Sequence, residues 1–152
     1  MIHRLVAGLS TMAALLACPA PVEAAPSEAW VRECPGEAFC FQRPGGLVRQ
    51  PGQAIDSLAA NYQSADLFLS FDMGRYGQSL DHLVKPVKRL LLIDGRPAEL
   101  LSSEHEIVLV IAEVHPGQRG PVKFHMALKS KGRVSDALAL KVFQSIQFKP
   151  LP

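Results

Sequence analysis

Charge of one sign is scarce in this chain. Sixteen lysines and arginines stand against 14 aspartates and glutamates in 152 residues, a formal net charge of +2. So small an excess gives no basic face on the scale that nucleic acid requires, and no nucleic-acid partner is expected. Cysteine is also scarce, at three residues, and no further ligands at zinc spacing accompany them. Twelve prolines and 11 glycines are ordinary numbers, which excludes a collagen-like or low-complexity chain. No Gly-x-Ser-x-Gly elbow, phosphate-cradling glycine loop or His-x-x-x-His pair occurs. No segment reaches the roughly 20 uncharged apolar residues that a membrane span needs. What is present is core material: 48% of residues are hydrophobic, enough to fill an interior and to exclude wholesale disorder.

The first residues, Met1-Ile2-His3-Arg4, precede an apolar run over residues 5–17. A short basic start before such a run is the pattern of a bacterial-type secretory signal. Small residues at Val22 and Ala24 place cleavage after Ala24, so residues 1–24 read as a signal peptide. Leu15-Leu16-Ala17-Cys18 also fits a lipobox. In that alternative residues 1–17 are removed and Cys18 carries lipid, which anchors the protein to a membrane. The expected location is periplasmic or secreted, with a lipid anchor in the envelope as the alternative. Cleavage after Ala24 removes Arg4 and Glu23 and leaves 15 basic and 13 acidic residues.

Either route leaves Cys34 and Cys40 as an even pair. In an oxidising compartment such a pair reads as a disulfide. The five residues between them are more than the two usual for a redox pair.

Residues 25–37 form a lead-in, ordered only if Trp30 docks. Residues 38–152 form one domain. Phe39-Cys40-Phe41 is a short strand, stopped at Arg43-Pro44-Gly45-Gly46. Residues 53–64 fit a helix or a strand equally. Leu67, Leu69 and Phe71 alternate with Phe68, Ser70 and Asp72, a strand with one apolar face. Residues 88–93 meet Asp94-Gly95, a two-residue hairpin signal, and return over residues 98–101. The continuous run over residues 107–112 predicts a strand covered on both faces. Val122, Phe124, Met126 and Leu128 alternate with Lys123, His125, Ala127 and Lys129, a strand with one dry and one wet face. Ser135 caps a helix in which Leu138 and Val142 share a face, and residues 145–148 close the chain as a strand. The expected fold class is α+β: an antiparallel sheet of about five or six strands flanked by helices, one layer for each face of the doubly covered strand.

The run Leu138-Ala139-Leu140-Lys141-Val142-Phe143-Gln144-Ser145-Ile146-Gln147-Phe148 and the turn Asp94-Gly95-Arg96 resemble the PsbP/Mog1-type fold family. The likeness covers residues 39–148 and implies the same helix-flanked antiparallel sheet. That family includes photosystem extrinsic subunits and a nuclear GTPase partner, so the resemblance bears on architecture and not on activity.

Among side chains, Asp72, Arg75 and Tyr76 stand out as a binding candidate. They lie on a loop with Gly74 and Gly77 at the end of an apolar strand, and Arg and Tyr dominate binding hot spots. Residues 119–149 hold seven basic residues against Asp136 alone, a local +6 that can steer an acidic partner. His82, His105, His115 and His125 show no metal-ligand spacing and read as surface histidines; no metal site and no cofactor are expected. The leading reading is an exported, non-enzymatic domain that binds a protein or envelope component. The alternatives are an inhibitor or immunity factor of an envelope-targeting enzyme, and a small hydrolase built on Ser57, His82 and a carboxylate.

Overall fold

The computed structural model describes residues 29–52, 56–115 and 120–150. The signal segment and Cys18 lie outside the described residues. In chain order the strands are β1 (Trp30–Glu33), β2 (Phe39–Pro44), β3 (Val48–Arg49), β4 (Ser57–Gln63), β5 (Leu67–Gly74), β6 (Val87–Ile93), β7 (Arg96–Ser102), β8 (Glu106–Ile111), β9 (Lys123–Ser130) and β10 (Gln147–Phe148). A short 3-10 turn, Pro35–Glu37, follows β1, and one helix, α1 (Asp136–Gln144), precedes β10.

The strands form two antiparallel sheets. Seven run in the order β3-β4-β5-β9-β8-β7-β6, and three in the order β1-β2-β10. Alternation decides which face of the large sheet is dry. Leu69 and Phe71 on β5, Phe124, Met126 and Leu128 on β9, and Ile107, Leu109 and Ile111 on β8 are all buried. The register Phe71↔Met126↔Leu109 sets them side by side on one face. The small sheet lies against that face. Phe39 of β2 meets the rings of Phe71 and Phe124 at centroid distances of 5.1 and 5.0 Å, edge to face. β10 sends Phe148 into the same cluster, 5.2 Å from Phe124. Helix α1 packs on β2 and β8, burying Ala139, Val142 and Phe143, and the Ser135 hydroxyl accepts from Leu138 N–H at its start.

The expected α+β class is therefore corrected. Of the described residues 50% are strand and 10% helical, with a single helix. The reason is one of area. A nine-residue helix is roughly 14 Å long and covers about three strands. The remainder of the dry face is closed by β1, β2 and β10, a second sheet in place of flanking helices. Residues 30–33 of the lead-in supply its first strand, and Lys141 Nζ sits 3.9 Å over the Trp30 ring. The ambiguous stretch resolves as a strand over Ser57–Gln63.

The other face of the large sheet is not bare either. Val108 and Ala127 point that way and are buried, as are the polar Ser70, Glu106 and His125. Among the described residues no helix or strand covers them. The cover is the connection over residues 75–86, which must travel from β5 to β6 past β9, β8 and β7. It crosses as a strap, with Leu80 and Leu83 half-buried.

Candidate functional site

The strap begins at the loop singled out in the sequence. At its start an open cleft of about 640 Å³ lies at the end of β5. Ala38, Leu58, Met73 and Val122 give it an apolar floor, and Asp56, Ser57, Arg75 and Tyr76 a polar rim. One wall is set by the disulfide loop. Cys34 and Cys40 hold their sulfurs 2.10 Å apart, and between them Gly36 takes a left-handed φ of 53°. A Cβ there would sit 3.1 Å from the Leu58 side chain, so the turn lies directly on the cleft floor.

The three candidate binding residues divide. Tyr76 is 78% exposed, and Arg75 is exposed with no hydrogen bond or ion pair among the described residues. Both line the cleft. Asp72 is half-buried and turned to the strap side of the sheet, where its Oδ2 accepts from the Ser57 hydroxyl at 3.2 Å. It faces His125 across the β5–β9 ladder.

His125, read from the sequence as a surface residue, is 7% exposed. The Gln78 backbone N–H donates to its Nδ1 at 3.0 Å, which requires an unprotonated Nδ1 and places the ring hydrogen on Nε2. Gly77 permits the approach: a Cβ at that position would stand 2.6 Å from His125 Cε1. Farther along, His82 Nε2 lies 3.0 Å from Glu106 Oε2, and Lys129 Nζ lies 3.2 Å from Glu106 Oε1. The strap is thus tied to the sheet at His125 and at Glu106. Neither anchor was legible in the sequence. The available signal was the length of the 75–86 connection, which cannot be a hairpin turn.

Burial lowers the His125 pKa from its ordinary 6.5; Asp72 opposes that shift and Lys123 adds to it. Because the folded value lies below the unfolded one, the neutral imidazole contributes stability in full above about pH 6.5. That contribution is lost as pH falls through the folded pKa, where a proton on Nδ1 also evicts the Gln78 N–H. Burial, then Arg96, lowers the His115 pKa too. The expected result is a falling protection factor for the Gln78 amide as pH is lowered below about 6.5, and a melting temperature that drops along with it. In His125→Phe the drop should shrink to the His115 share. An exchange rate at Gln78 that tracks only the intrinsic pH dependence would show that the tie does not hold the strap.

The hydrolase residues are not brought together. Ser57 pairs with Gly74, whereas Glu106, which His82 contacts, pairs through Lys129 with Phe68, six residues along β5. With three inter-strand spacings between β4 and β8, Ser57 and Glu106 are roughly 25 Å apart. Around Ser57 the order is serine, aspartate, histidine, which sets an acceptor carboxylate and not an imidazole base against the hydroxyl. The basic stretch over residues 119–149 is likewise dispersed: Lys129 meets Glu106, Lys131 Nζ lies 3.7 Å from Asp66, and Lys141 covers Trp30. Among the described residues no group of three or more His, Cys, Asp or Glu side chains is placed to hold a metal ion, and no helix is long and apolar enough to cross a membrane.

Comparison with protein-family models, with curated proteins and with solved structures finds no match. These comparisons neither support nor refute the PsbP/Mog1-type likeness over residues 39–148; the helix-flanked sheet it implied is not the architecture found.

Proposed function

We propose that this chain is an exported, non-enzymatic domain that binds a protein or another envelope component at the cleft beside Arg75 and Tyr76. The observation that carries the reading is the pairing of an exposed guanidinium, without a partner among the described residues, with an exposed aromatic ring on one rim of an apolar-floored cleft. Side chains of this kind have area and directed donors to give a partner. The disulfide-distance cysteines are compatible with an extracellular location. The dispersal of Ser57 and His82 supports binding over hydrolysis.

Arg75→Ala and Tyr76→Ala should each weaken capture of the partner by about 1–2 kcal/mol, or 5–30-fold in the dissociation constant, and leave the melting temperature nearly unchanged. A partner is first recovered from envelope extract on the immobilised domain, then titrated. Early melting with unaltered affinity would assign both residues to the strap's own structure and sink the reading.

A further inference from the structure

The two edges of the seven-stranded sheet are unlike. β3, at one edge, is only two residues long, and so short an edge discourages pairing. β6, at the other, runs seven residues in unbroken register from Val87↔Ser102 to Ile93↔Arg96, with no proline and no bulge. The two-residue turn at Asp94 and Gly95, both at positive φ (48° and 75°), makes Ile93 and Arg96 a hydrogen-bonded pair. Alternate residues follow suit. Leu91, Arg89 and Val87 direct N–H and C=O toward β7, whereas Leu92, Leu90 and Lys88 direct theirs away from the sheet. The same three residues project their side chains on the strap side, where Leu90 is 76% and Leu92 69% exposed. Pro97, Val110 and Ala112 extend this surface into a groove of about 550 Å³. Unpaired backbone and bare leucine coincide at Leu90 and Leu92.

We propose that β6 pairs antiparallel with β6 of a second copy of this chain, joining the two large sheets edge to edge. The charges favour a copy. Lys88 Nζ is 2.6 Å from Glu99 Oε1, and Arg89 Nη2 is 3.1 Å from Asp136 Oδ2. Both cations of the strand are matched within their own chain, so β6 neither calls for an acidic peptide nor repels its twin. Strand parity permits only outward-facing residues to oppose one another in the new hydrogen-bonded pairs. Setting Leu90 against Leu92 of the copy, in both directions, gathers four leucines at the two-fold axis. The antiparallel sense keeps the two Lys88 residues at opposite ends, whereas a parallel pairing would set them side by side. Such a contact is isologous and closes at two chains.

Light scattering on the purified chain, disulfide intact, should give the mass of two chains and, on dilution, a fall toward one. The double variant Leu90→Lys/Leu92→Lys should have the mass of one chain at every concentration, with the wild-type melting temperature, because both side chains are exposed. Should the double variant melt early, Leu92→Lys alone is expected to lose the two-chain mass while folded. A wild-type chain of single mass at all concentrations overturns the proposal. So does a dimer that persists in the folded variants, since it must form elsewhere, and so do open-ended oligomers, which a two-fold contact cannot build.

Discussion

Replacing Phe39 by alanine is expected to remove about 3–5 kcal/mol of folding stability. Phe39 is fully buried on β2. Its ring stands 5.8 Å from Phe41, 5.1 Å from Phe71, 5.0 Å from Phe124 and 5.8 Å from Phe148. Two of these partners belong to the large sheet and two to the small one, so the ring is the joint between the layers. Alanine would lose the transfer free energy of the ring and leave a cavity bounded by four aromatics anchored in two different sheets. Such walls cannot easily collapse, which puts the cost in the upper part of the large-to-small range. Edge-to-face contacts with Phe71 and Phe124 are lost in addition. Against a total stability of order 5–15 kcal/mol for a domain of this size, the loss is a large fraction. Denaturant unfolding monitored by fluorescence reads it as a lowered midpoint, with Val31→Ala, on the exposed side of β1, as the control. A loss below about 1 kcal/mol would mean that the small sheet rests loosely on the large one and that the two-layer account of the core is wrong.

How much of this was legible depended on whether the partner of a residue was near in sequence. The β6–β7 hairpin could be read because Asp94-Gly95 both turns the chain and fixes its register. The helix could be read because Ser135 caps it locally. The double coverage of β8 could be read in part from the run over residues 107–112, which lacks the alternation of a half-wet strand: Ile107, Val108, Leu109 and Ile111 are buried, whereas Val110 is half-buried and Ala112 exposed. What covers β8 could not. β10 pairs with β2 from more than 100 residues away, Gln147 opposite Cys40, and periodicity carries no information about which strand closes which face. The demand for a layer on each face was sound, and helices were the wrong material to fill it. His125 failed for a related reason. Its alternation with Phe124 and Met126 assigns it correctly to the polar face. That this face is dry at its centre follows only from the strap, whose own residues read as a polar loop. The candidate site was legible in part, since Arg75 and Tyr76 do reach one cleft, whereas Asp72 lies at the strand position that faces the sheet's other side.

Opening the Cys34–Cys40 bond is expected to cost about 2 kcal/mol, the second large effect. The bond closes a loop with a sequence separation of 6, and in the chain-entropy account so short a loop restricts the unfolded chain only modestly. The protein should therefore remain folded when both cysteines are serine, with a lowered denaturant midpoint and an unchanged slope. The consequence for the site is larger than that figure suggests. The two cysteines bracket Gly36 and Glu37, both held at positive φ (53° and 58°), a conformation that a non-glycine residue occupies only when its surroundings impose it. Without the bond, Glu37 is free to leave the left-handed region, and the turn that backs onto Leu58 leaves with it. Cys34→Ser/Cys40→Ser should thus weaken partner capture at the Arg75–Tyr76 cleft as well as stability, although neither cysteine is on its polar rim. Thiol titration of the denatured, unreduced wild type should find no free thiol at these two positions. A double variant with wild-type affinity would show that the disulfide loop supports the fold alone and that the cleft keeps its shape without it.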